Sequence, residues 1–244
     1  MHALTDRDLL TIWEKTLDKS LVEKCLVFLA MVYPEYDPKQ VASFSIGERD
    51  ARLLHVREKM FGSTLRNAGV CPACRERIEW EVPVSELQLQ PIGQHTGQDD
   101  IVIVYDGHEM HFRLPNSEDF LNLSPMESNE DNVVAMIKRC VLHEAPTHPG
   151  TEDLSSDMIE VISNKFAELD PQADIMIKLS CPQCRHEWSS IFDIMLYIWT
   201  EIQERVHTIY REIITIARHF SWSENEILSL SPFRRQLYLR MIQS

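Results

Sequence analysis

Residues 64–82 read TLRNAGVCPACRERIEWEV, and residues 173–192 read ADIMIKLSCPQCRHEWSSIF. Each stretch has an extended-looking lead-in, a CPxC turn, a charged step and a Trp-containing segment. Strand, knuckle, strand, written twice, is the layout of a zinc ribbon. A CxxC turn delivers two thiolates at once, and zinc prefers four soft or borderline ligands in a tetrahedron. The two halves are therefore expected to pair, so that Cys71, Cys74, Cys181 and Cys184 close one structural Zn2+ per chain. A tetrahedral thiolate set also accepts iron. Two other readings compete with a shared site. Redox CxxC motifs sit at a helix N-terminus after a buried strand in a βαβ unit, and neither knuckle has that surrounding. Two separate sites completed by histidine would need His186, which lies too close behind Cys184 to share a tetrahedron comfortably with that pair.

Cys74 and Cys181 are 107 positions apart, so a shared metal would staple a large insertion at its base. Structural zinc contributes on the order of 10 kcal/mol of apparent folding free energy, enough to offset the closure entropy of such a loop. Four protein ligands leave no open position for water or substrate. The expected role is architectural.

Helix starts around the ribbon are marked by Ser20 with Glu23, Ser45 with Glu48, and Ser223 with Glu226, each with capping-box spacing. They predict helices near 5–17, 20–33 and 46–61, the last stopped by Gly62. Residues 101–114, IVIVYDGHEMHFRL, predict a hairpin turning at Asp106-Gly107. Helices are expected near 117–123, 130–143 and 155–169, with polar connections at 89–100 and 143–156. From Asp193 onward apolar residues recur at three- and four-residue steps through Phe220, a long helix. A short helix, ENEILSL, and one opened by Ser231-Pro232 follow. The fold class is α+β, mainly helical. Its parts are an N-terminal helical region (1–62), a split zinc ribbon (63–88 and 172–192), an inserted hairpin with helices (89–171), and a C-terminal helical hairpin (193–244). No glycine-rich linker separates them, which favours one mixed unit. Cys25 and Cys140 lie in apolar helical runs and read as buried thiols.

The chain carries 24 Lys and Arg against 38 Asp and Glu, a formal net charge of −14. Such a surface repels phosphate backbones, so nucleic acid is disfavoured and a protein partner expected. The longest apolar run, residues 25–32, is too short to cross a bilayer, and the N-terminus lacks signal-peptide features. A cytoplasmic origin and no membrane partner follow. HEAPTH (143–148) has its histidines five apart and a proline between them, which rules out a metalloprotease helix. There is no GxSxG, P-loop or dinucleotide fingerprint, and seven glycines leave little material for a phosphate cradle. No catalytic residues, and no small-molecule substrate, are expected.

Three stretches resemble the baseplate proteins of contractile phage tails, in particular the T-even baseplate hub assembly (zinc-ribbon) family and its relatives in phage-like injection systems. They are ARLLHVREKMFGSTLRNAGVCPACRERIEWEVPVSEL (51–87), FRLPNSEDFLNL (112–123), and IMIKLSCPQCRHEWSSIFDIMLYIWTEI (175–202) with HFSWSENEILSLSPFRRQLYLRMI (219–242). The resemblance implies a non-enzymatic structural or chaperone-like assembly protein. Its partners would be other tail or baseplate proteins, and its setting the host cytoplasm during assembly or the baseplate of the particle. Trp222, Phe233, Arg234, Arg235 and Tyr238 form a local basic-aromatic pattern of the kind enriched at interfaces. Alternatively, Phe233, Leu237 and Tyr238 pack against the long helix while the arginines are solvated. The alternative function is a zinc-ribbon adaptor in transcription or nucleic-acid processing, which would use Arg234 and Arg235 against phosphates.

Overall fold

The computed structural model of the chain describes residues 1–97, 100–123, 128–144 and 154–243. Its first helices are α1 (Asp6–Lys15), α2 (Leu21–Val32), α3 (Pro38–Ser43) and α4 (Ile46–Phe61). A hairpin, β1 (Thr64–Val70) and β2 (Arg77–Pro83), leads into the short α5 (Val84–Leu87). Then come β3 (Ile101–Tyr105), β4 (His108–Phe112), α6 (Ser117–Leu121), α7 (Asn129–Cys140), β5 (Val141–Glu144) and α8 (Ser156–Leu169). A second hairpin, β6 (Met176–Ser180) and β7 (Glu187–Ile191), precedes α9 (Ile194–Phe220), α10 (Glu224–Ser229) and α11 (Pro232–Gln243). The protein is α+β and mainly helical.

The chain divides into two compact units, residues 1–34 with 196–244, and residues 35–195. The first is helical. α9 turns Ile198, Ile202, Val206, Ile209, Ile213 and Ile216 into the interior, and α1 and α2 contribute Ile12, Phe28 and Leu29. Trp13 stacks on Trp199 with ring centroids 5.8 Å apart. Cys25 is buried in α2, as its apolar run implies.

In the second unit β3, β4 and β5 form an antiparallel sheet. Its core joins Ile103, Met110 and Phe112 to Ile137, Cys140, Met158 and Ile162. The β3–β4 turn places Asp106 and Gly107 at φ 48° and 77°, the left-handed pair that a type I′ turn demands. The helix expected over 130–143 ends at Cys140. The last residues of that stretch are extended and pair with β4, because the open edge of the hairpin offers a ladder that a further helical turn would forgo. Most of the polar connection expected at 143–156 lies outside the described residues. α3 was not foreseen. Its start is marked by Asp37, whose carboxylate accepts from the Lys39 and Gln40 amides, and by Pro38 at the first helical position.

The Ser20–Glu23 and Ser223–Glu226 capping boxes form as expected. The Ser45–Glu48 pair forms only half of one. Ser45 accepts from the Glu48 amide at 3.1 Å, but the Glu48 carboxylate turns inward. It accepts from Arg52 Nε (2.7 Å) and from the Gly93 and Gln94 amides. Three donors to a buried carboxylate outweigh the one cap bond given up, and the Ser45 amide donates to the His95 carbonyl instead. The 89–97 connection is thereby sewn onto α4. Gln90, buried, donates to Asp170, which also accepts from the Gly47 amide at 2.8 Å. Gln172 accepts from the Leu89 amide and donates to the Leu87 carbonyl.

Candidate metal centre

The two hairpins end in knuckles of the same build. In the first, the Cys71 amide donates to the Glu76 carbonyl (2.9 Å) and the Arg75 amide to the Cys71 carbonyl (3.0 Å). In the second, the Cys181 amide donates to His186 and the Arg185 amide to Cys181, each at 2.9 Å. Arg75 and Arg185 occupy the left-handed region, at φ 64° and 59°. Those two residues reverse the chain after the second cysteine, which is what turns both thiols of a CxxC toward one point. Cys71 and Cys181 are buried, whereas Cys74 and Cys184 face outward. A small apolar cluster of Cys71, Ile78 and Cys181, flanked by Trp80 and Trp188, lies beneath.

All four sulfurs lie within 4.8 Å of one another. Cys71 Sγ is 3.7 Å from Cys184 Sγ, and Cys74 Sγ is 3.6 Å from Cys181 Sγ. A tetrahedron with metal–sulfur bonds of about 2.3 Å has sulfur–sulfur edges of about 3.8 Å, so the donor set fits a tetrahedral thiolate-bound ion. Among the described residues no histidine or carboxylate joins the group. His186 instead stacks on Trp188.

Without metal the two thiols of the first knuckle move in opposite directions. The Cys74 backbone N–H, helped by that of Ala73, brings the Cys71 thiol down to about 7. At Cys74 the Glu76 N–H also lowers the pKa, but burial and the surrounding sulfurs outweigh it and push the thiol up to about 12. Sulfurs this close cannot all be thiolates unless a cation sits among them.

The basic-aromatic residues of the C-terminus are placed differently from one another. Trp222 stacks on Phe220 (5.0 Å) and meets Tyr238 edge-on (5.0 Å), so the two form part of an aromatic cluster. Phe233 and Arg234 are exposed on α11. Arg235 is buried at 1% exposure. Its guanidinium pairs with Asp6 and with Glu212 Oε2 (3.0 Å) and donates to the Leu230 carbonyl. Arg205 closes the group with a two-fold contact to Asp6 at 2.9 Å.

Residues 5–143 match the model of the T4 bacteriophage base plate protein family. The chain belongs to that family. The match covers more than half of the chain and includes α4, the first knuckle and the β3–β4 hairpin, while the second knuckle and α9 lie beyond it. Comparison with curated proteins and with solved structures gave no significant match in either case. Among the described residues no helix is long and apolar enough to cross a membrane.

Sequence reasoning missed the buried polar group around α4: Glu48, Arg49, Asp50 and Arg52. Arg49 donates to Asp50 at 2.7 Å, and Arg52 lies over the rings of Tyr36 and Phe44. Burial raises the Asp50 pKa despite the Arg49 charge beside it. The one signal was the run GERDAR at the start of α4, where four of six residues are charged directly before the apolar Leu53 and Leu54.

Proposed function

We propose that the protein is a non-enzymatic structural or assembly component of a contractile phage tail or phage-like baseplate, held together by one structural zinc ion on Cys71, Cys74, Cys181 and Cys184. The observation that carries this reading is the family match, with its first knuckle brought against a second, distant one at tetrahedral spacing. The zinc closes the split ribbon of residues 63–88 and 172–192 and staples the 89–171 insertion at its base. With four protein thiolates its coordination is complete, so it supplies rigidity and no reaction. Other tail or baseplate proteins are the partners. The protein meets them in the host cytoplasm during assembly, and the finished baseplate is a second setting. The nucleic-acid alternative draws less support, since Arg235 is spent inside the fold and the net charge is −14.

The decisive experiment is elemental analysis of the wild type and of Cys71→Ser and Cys181→Ser, paired with co-purification against the other tail proteins of the same gene cluster. One zinc per chain, lost in both variants, with at least one tail protein retained by the wild type, is the expected result. Metal kept when one knuckle is broken would refute the shared site. Failure to retain any tail protein would refute the baseplate role.

A further inference from the structure

A cleft of about 570 Å3 is lined by residues 77–82 of β2 and 176–180 of β6, reaching Pro182 in the second knuckle. Its size lies within the about 300–1,000 Å3 typical of ligand clefts. A cleft over the face of a strand meets every second residue, whereas one along its edge meets them all. The unbroken runs therefore mark two strand edges.

The hydrogen bonds show what those edges present. The Cys71 amide bonds to the Glu76 carbonyl, and the Val84 amide to the Ser63 carbonyl. With the β1–β2 register, the antiparallel alternation directs the backbone groups of 78, 80 and 82 at β1 and those of 77, 79 and 81 away from it. The bonds from Cys181 to His186 and from Phe192 to Ile175 do the same for β6. Residues 177 and 179 point at β7, and 176, 178 and 180 point outward. Each sheet has only its two strands, so no strand meets these outward groups among the described residues. β2 leaves the first knuckle and β6 runs into the second, so the edges pass the cleft in opposite directions.

Side chains divide the cleft into two walls. Ile78, Trp80 and Leu179 lie on the more buried side, and Trp80 Nε1–H is buried with no acceptor among the described residues. On the exposed side Glu79, Glu81 and Glu86 face Arg77 and Lys178, an excess of one negative charge; Glu79 is paired with Arg77 at 3.2 Å and Glu81 with Arg66 at 3.0 Å, and both pairs are exposed. We propose that this cleft takes an extended segment of another polypeptide as an added strand bonded to both edges, with apolar residues at alternate positions and lysine or arginine between them. The inference rests on the four-cysteine site as the staple that fixes the two hairpins, and the metal content of the same sample separates the two.

The probe is a blocked KVKVKVK peptide, with KKKKVVV as the control of equal charge and composition. Binding is read by tryptophan fluorescence and by amide hydrogen exchange. The alternating peptide is expected to bind saturably and to slow exchange at Glu79 and Lys178 together by roughly tenfold or more, and the control is not. Glu79→Pro and Lys178→Pro each remove an outward N–H and leave the β1 and β7 ladders whole, as proline on an edge strand does. Both should keep their metal and lose binding by roughly tenfold or more. Equal binding of the control, unchanged exchange at either edge, or proline variants that bind like wild type would overturn the proposal. Metal-loaded protein that ignores the peptide defeats the cleft alone. Peptide binding without bound metal defeats the metal reading alone, and neither binding defeats both.

Discussion

Arg235 shows how far a single side chain can depart from its residue type. Arginine is seldom fully buried unless paired, and a Phe-Arg-Arg run at the start of a helix reads as surface. Here Arg234 is exposed and its neighbour is buried against Asp6 and Glu212. Removing one member of a buried ion group leaves the others desolvated, so Arg235→Ala should cost about 3–5 kcal/mol, measured by urea unfolding. Arg235→Lys cannot reproduce the planar fork that reaches Asp6, Glu212 and the Leu230 carbonyl together, and should recover only part of the loss. A cost below about 1 kcal/mol, the range of an exposed pair, would mean that the group contributes like a surface contact. Glu226 is a gentler case. The Ser223 hydroxyl and backbone N–H lower its pKa. A carboxyl lowered on folding contributes its stability above its unfolded pKa and loses it as pH falls through the folded one. The difference in melting temperature between wild type and Glu226→Gln should therefore shrink between about pH 7 and about pH 3. A difference that stays constant over that span would refute the charged cap.

At the scale of elements, the most legible features were those written locally. Two complete capping boxes, the Asp106-Gly107 turn and the Gly62 stop depend only on residues a few positions apart, and each forms where the sequence places it. Partners distant in sequence decided the rest. Glu48 abandons its cap because Arg52 and the 93–94 amides lie inside, and residues 141–144 become a strand because β4 has an open edge. Gly47 is the sharpest case. Its amide bonds Asp170, 123 positions away, and a Cβ there would collide with the Asp170 carboxylate and press on the Ala173 amide. Gly47→Ala should thus displace a buried carboxylate that also holds Gln90, costing about 1–3 kcal/mol from overpacking before any lost hydrogen bond. Thermal unfolding measures it. An unchanged melting temperature would show that Asp170 moves aside freely.

For the whole molecule, the four cysteines were legible because metal-ligand chemistry fixes both residue type and spacing, while the cleft beside them was not. Which edge of a hairpin is open depends on what the insertion leaves uncovered, and no local pattern records that. If the proposed metal is bound, the parts of the protein should depend on it to different degrees. Among the described residues each knuckle hairpin has only two strands, which are marginal in water by themselves, and the apolar cluster beneath the sulfurs is small. The helices pack around cores of their own. A strong chelator should therefore abolish exchange protection across residues 64–83 and 176–191 and change the Trp80 and Trp188 fluorescence, while far-ultraviolet dichroism, dominated by helices, falls little. Restoring zinc should reverse both. Acid should act in the same direction. Metal ligation needs thiolates, and in the metal-free protein the Cys74 thiol is pushed up to about 12 even though Cys71 is brought down to about 7. Each fall in pH then favours the protonated, metal-free state, so the chelator concentration for half-removal should drop as pH falls. Hydrogen exchange that stays protected in both hairpins after verified loss of metal would show that packing alone holds the ribbon, and that the cysteines meet without being needed to.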